Sequence, residues 1–134
     1  MHSSGVPLKF NWAEYLNLAY ELAGHSPPQP SNMEAKLRVS ISRAYYAVFC
    51  KARNHLRDVN GDTSIPKTGR AHTDVIEKFR KSHDKTRQKI GHALKRLRID
   101  RNNVDYEDFV AGLPSLAVAD LALARRSLSR LSSL

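Results

Sequence analysis

Two features of this sequence could do chemistry, and the first is an arginine with the acidic stretch that could partner it. Arg43 falls among apolar residues at helical spacing, between Val39 and the Tyr46–Ala47 pair. A guanidinium drawn away from water there needs a carboxylate or a bound anion. Asp105, in the polar stretch Asp100–Asp108 (DRNNVDYED), is the expected carboxylate, and Tyr106 beside it offers a hydroxyl. The pairing reads either as an ion pair that fixes a turn or as a site for a phosphate or a ribose. The second feature is a concentration of charge. Ten Lys and Arg but only two Asp lie between Lys78 and Arg101, so this segment carries +8 of the chain's net +9. A charge so localised is the footprint of a nucleic-acid partner, of an acidic protein surface, or of a solvated helix face. Lys85, Arg87, Lys89, Lys95, Arg96 and Arg98 are the candidate phosphate contacts.

Other chemistries lack residues in the required pattern. The six histidines are scattered, with no HxxxH or HExxH and no cysteine pair, so no metal site and no cofactor are expected. Gly61 and Gly69 do not form a phosphate loop, and no serine sits in a nucleophile elbow. Asp105, Glu107 and Asp108 read as loop acids rather than as an acid–base pair. The single cysteine, Cys50, reads as a small core hydrophobe and excludes an internal disulfide. No apolar run reaches the roughly 18 residues of a membrane span. The opening MHSSGVPLKF lacks the apolar core of a secretory leader, so a cytoplasmic setting is expected.

The elements that must position these residues are helical. At 134 residues, with 41% hydrophobic and 26% charged, the chain suits one domain, residues 1–134, with residues 1–10 as a flexible lead-in. Ser31 and Glu34 form a capping box that opens a helix running to about His55. Leu37, Ile41, Ala44, Val48, Ala52 and Leu56 make one apolar stripe on it, and Val39, Tyr46 and Cys50 a weaker one opposite. Apolar on two sides, it must be the central helix. Asn11 to Gly24 is a helix with Trp12, Tyr15, Leu16, Ala19, Leu22 and Ala23 inward. Arg57–Arg70 is a loop, Thr73–Lys81 a short helix, and Lys85 to about Ile99 a basic helix with Ile90, Ala93, Leu94 and Leu97 inward. Asp100–Asp108 reads as a turn, and Pro114 opens a last helix with Ala117, Leu121, Ala124, Leu128 and Leu131 as its seam. The expected fold is all-α, an up-and-down bundle of four long helices and one short.

SRAYYAVF at 42–49, HTDVIEKF at 72–79 and RNNVDY at 101–106 together resemble the HEPN family, over roughly Ser31 to Leu131. The likeness is to the branch with an RAYYA-type helix and an R-x-x-x-D-Y turn, associated with toxin–antitoxin and defence systems. It implies a helical bundle that dimerises through its long helices and acts on RNA or a nucleotide, or alongside a nucleotidyltransferase-type partner. Catalytic members are metal-independent ribonucleases that use an arginine, a polar residue and a histidine four to six residues after the arginine. Arg101 and Asn102 match the start of that pattern, but Tyr106 stands where a histidine could be. A tyrosine with a pKa near 10 is a poor base at neutral pH. The resemblance therefore implies a site of Arg43, Tyr46, Arg101, Asn102, Asp105 and Tyr106, with His72 as an alternative proton carrier. A second arginine–histidine pair, Arg87 and His92, lies within one helix and points about 140° apart.

Overall fold

In the computed structural model, which describes residues 9–134, the chain forms five α-helices: α1 Ala13–Leu22, α2 Met33–Asn54, α3 Arg70–Arg80, α4 Lys85–Tyr106 and α5 Leu113–Ser132. Among the described residues there is no strand, and no helix is long and apolar enough to cross a membrane. Three helices are long and two short, because α1 ends after ten residues and turns through Gly24 at φ +78°.

α2 is central, packed against each of the other four helices. Its stripe of Ile41, Ala44, Val48, Ala52 and Leu56 is buried as the spacing predicts. A second buried stripe is made of Arg38, Ser42, Tyr45 and Phe49 and faces α4, α3 and the chain before α1. The expected second stripe, Val39, Tyr46 and Cys50, is only half-buried. Ser31 and Glu34 do not form a capping box. Pro30–Asn32 is a 3-10 turn leading into the helix, and the Glu34 carboxylate pairs with Arg38 at 3.1 Å instead. After Asn54 the helix widens into a π turn, His55–Val59, before the loop to α3.

α4 does not stop at Ile99. The core period Ile90, Leu94, Leu97, Arg101, Val104 continues at four-three spacing, so Arg101–Tyr106 is the helix's end rather than a turn. Its start is set by Asp84, whose side chain accepts from the Arg87 N–H at 2.8 Å. α3 and α4 touch backbone to backbone at Gly91, where an added Cβ would lie 2.4 Å from the Arg80 nitrogen.

At the C-terminus of α4, where the last carbonyls have no helical N–H to reach, Arg38 gathers one carbonyl of the helix and two of the residues that follow it. Its guanidinium donates to Val104 O at 2.8 Å, Glu107 O at 2.7 Å and Asp108 O at 3.2 Å, and the side chain is fully buried. Phe10 and Trp12 lie over it at 4.2 and 5.1 Å. The expectation of a flexible 1–10 concerns, for residues 1–8, positions outside the described residues. At Phe10 the ring is buried and the N–H donates to Asp108 O at 2.7 Å. The inward face of α1 is also different from that expected. Leu18 is buried, while Leu16 and Leu22 are 61% and 71% exposed, because the helix rests on α2 through the Tyr15–Leu18 edge.

Removing Arg38 takes three hydrogen bonds from the end of α4, leaves Glu107 O without its donor, and empties a fully buried space under Phe10 and Trp12, while Val104 O keeps the Tyr15 hydroxyl and Asp108 O the Phe10 N–H. Arg38→Ala should cost on the order of 3 kcal/mol, a fall in Tm of about 10 °C. Arg43→Ala, at an exposed site, should stay within about 0.5 kcal/mol. Thermal unfolding of the two variants side by side measures the contrast.

Candidate functional site

Tyr45, one turn beyond Ser42 and two beyond Arg38 on α2, has no exposed surface and sits where α2, α3 and α4 meet. Its hydroxyl lies 2.5 Å from His72 Nδ1, one turn into α3. The Phe49 ring stacks on the imidazole, 4.2 Å between centroids and 18° between planes, and Tyr46 meets it edge-on at 5.9 Å. α4 supplies the charge. The Arg101 guanidinium lies 5.3 Å from the Tyr45 ring centre and 5.2 Å from that of Tyr46. One turn earlier, Arg98 donates to Thr73 Oγ1 at 3.0 Å. The buried Nε of each arginine has no hydrogen-bond partner within the described residues.

Burial and these cations set the titration of the two rings. Burial pushes the Tyr45 hydroxyl up to about 12, against the opposing pull of Arg98 and Arg101. Burial, and then the charges of Arg98 and Arg101, hold His72 below its ordinary value, so it is neutral at pH 7. If His72 Nδ1 carries the proton and donates to Tyr45, its Nε2 keeps a free lone pair. The arrangement can therefore stack a planar group, hold an anion and accept a proton.

Of the residues chosen from the sequence, Tyr46, His72, Arg98, Arg101 and Asp105 are brought together. Asp105 pairs with Arg101 at 3.8 Å and accepts from Ser42 Oγ at 3.4 Å. Arg43 does not meet Asp105. It is exposed, one residue past the side of α2 that faces α4, and its guanidinium lies 4.8 Å over the Tyr46 ring. The buried arginine of α2 is Arg38. Asn102 and Tyr106 point to solvent, Tyr106 with 73% exposure, because on a continuous helix they turn about 100° and 140° from Arg101.

The basic segment is not one face. Arg87 turns inward to Asn60 at 3.0 Å and His55 at 3.2 Å, Arg96 pairs with Asp100 at 3.2 Å, and Arg98 belongs to the site. Lys85, Lys89 and Lys95 are exposed, with no ion pair among the described residues. Also among the described residues, no three His, Cys, Asp or Glu side chains gather as a metal site requires.

Sequence reasoning passed over Tyr45 and a carboxyl pair. Tyr45 lies at the i+7 position from Arg38 and shares its face, a spacing that could have marked it. Asp100 and Asp120, 6% and 1% exposed, face each other between α4 and α5. Asp120 interrupts the seam of α5 between Ala117 and Ala124, which is the one signal in the sequence for a buried acid.

No family model matches the chain, and no curated protein or solved structure matches it.

Burial first, then the hydrogen bond to Asp100 and its charge, pushes the Asp120 carboxyl from 3.8 up to about 7, with Arg96 opposing. The folded chain thus holds a proton that the unfolded chain has released between about pH 4 and pH 7. The stabilisation from this group is full below that window and is lost as pH rises through it. Asp120→Asn, neutral at every pH, should flatten that decline and melt higher than the natural chain at pH 8. Tm measured from pH 4 to 8 for both proteins gives the comparison.

Proposed function

We propose that this chain is the HEPN-like, RNA- or nucleotide-binding member of a two-component system of the toxin–antitoxin or defence type. It works as a homodimer with a nucleotidyltransferase-type protein as partner. The observation that carries the reading is the convergence of Arg101, Tyr46 and His72. These residues come from the three separated stretches that the resemblance selected, and they meet around the buried Tyr45. Aromatic faces ringed by guanidinium groups stack bases and hold phosphates without demanding a sequence. Lys85, Lys89 and Lys95, exposed on other sides of α4, add a general attraction for the strand rather than contacts in line with Arg101. The exposed apolar side chains of α1 and α5, Leu22, Val118 and Leu121, offer surface that a second copy would cover.

Binding of single-stranded RNA should weaken steeply between about 50 and 200 mM salt. Arg101→Ala should lower affinity about tenfold at low salt, the worth of one charge-assisted hydrogen bond. Affinity that ignores both changes, measured by fluorescence anisotropy, overturns the reading.

A second reading is a metal-independent endoribonuclease, and one observation favours it: His72, whose burial favours the uncharged ring, is bonded to Tyr45 beside Arg101. Arg101 would hold the scissile phosphate while His72 takes the 2′-hydroxyl proton; the 2′-oxygen bonds to phosphorus, the bond from phosphorus to the 5′-oxygen breaks, and that oxygen takes a proton from water, leaving a 2′,3′-cyclic phosphate. Tyr106, the other candidate carrier, is turned outward with 73% exposure, so this reading gives the proton to His72. Cleavage of single-stranded RNA should then survive EDTA and vanish in His72→Ala. RNA left intact by the natural chain removes the enzyme and keeps the binding module.

A further inference from the structure

A cleft of about 460 Å³ opens between α2 and the segment Ile65–Gly69 that leads into α3. Its lining shares Tyr46, Phe49 and His72 with the aromatic cluster but includes neither Arg98 nor Arg101. The volume falls in the range of small-molecule sites, roughly 300–1,000 Å³. Phe49, Ile65, Pro66 and Ala71 supply apolar walls, and Arg53, Arg57 and Lys67 a cationic rim; no carboxylate lines the cleft, and Asp58 pairs with Arg57 at 3.0 Å from outside it. The outer wall is anchored: Lys78 on α3 pairs with Asp62 and donates to Ser64 Oγ at 2.8 Å, holding the loop just before Ile65. The cleft therefore stands open without a ligand to shape it.

An aromatic and apolar slot with three cations at its mouth fits a flat group that carries negative charge at one end. An apolar peptide has no use for the cations, and an acidic peptide none for the aromatic wall. A nucleotide uses both: the base lies in the slot and its phosphate at the rim. Because His72 and Tyr46 border both places, a strand held at Arg101 passes directly to the cleft.

We propose that this cleft is a second subsite that takes one unpaired nucleotide of a single RNA strand, a neighbouring phosphate of which lies at Arg101. The assignment rests on the RNA-binding reading above and adds to it a requirement for an unpaired base.

The test uses an oligoadenylate of about eight nucleotides, the same backbone with its bases removed, and free AMP. Thr68→Phe places a ring in the cleft from an exposed position and leaves the charge unchanged. It should weaken the intact strand about tenfold and leave the abasic backbone unaffected. If that variant fails to fold, Arg57→Ala with Lys67→Ala, both exposed, should give a similar loss for the intact strand. An intact strand that binds the cleft variants as it binds the natural chain overturns the subsite and leaves the RNA reading standing. A natural chain that binds neither strand overturns both. AMP bound as tightly as the strand overturns the strand assignment and gives the cleft to a free nucleotide.

Discussion

The arrangement of this protein depends on one buried guanidinium. A helix end leaves its last carbonyls without donors, and burying such an end without partners is costly. Arg38 meets that requirement from a neighbouring helix, with three carbonyls of the 104–108 segment on one side chain. This fixes the register of α2 against α4. Each further turn of α2 then meets an earlier turn of α4: Ser42 with Asp105, and Tyr45 with Arg101. The candidate site is one consequence of that register. The covering of Arg38 by Phe10 and Trp12 is another, and it ties the chain ahead of α1 to the same point.

Much of the fold could be read from the sequence because it follows from repeating apolar residues. The main apolar stripe of α2, the inward face of α4, the Pro114 start of α5 and the break before Lys85 all come from spacing and caps, which are local physics. The end of α4 was misread because DRNNVDYED has the composition of a turn. Composition gave way to packing: Val104 keeps the core period, and Arg38 from another helix serves the last carbonyls. The same tertiary contact explains the mistaken capping box. Glu34 has a buried arginine one turn ahead and pairs with it rather than with the backbone.

The candidate site divides along the same line. Residue types pointed to an arginine on α2 meeting an acidic segment, and the protein has that meeting, but between Arg38 and backbone carbonyls rather than between Arg43 and Asp105. Which of two arginines five positions apart turns inward depends on a rotation of the helix that apolar spacing alone resolves only to a broad stripe. Tyr45 was harder to single out from Tyr46, its neighbour. The deciding fact is what α3 and α4 bring to it, and no local pattern carries that.

Gly91 has an effect beyond its own position. α3 carries His72 and Thr73, α4 carries Arg98 and Arg101, and the two helices meet where Gly91 brings no side chain and the backbone and Cγ of Arg80 lie against it. The gap across which imidazole and guanidinium face each other is therefore gauged by main chain, as two rods are by a stop. A methyl group at that stop would act as a shim and tilt one rod away from the other. The chemistry of the cluster thus answers to a residue that touches none of its members, and the tolerance there is less than the width of one carbon atom.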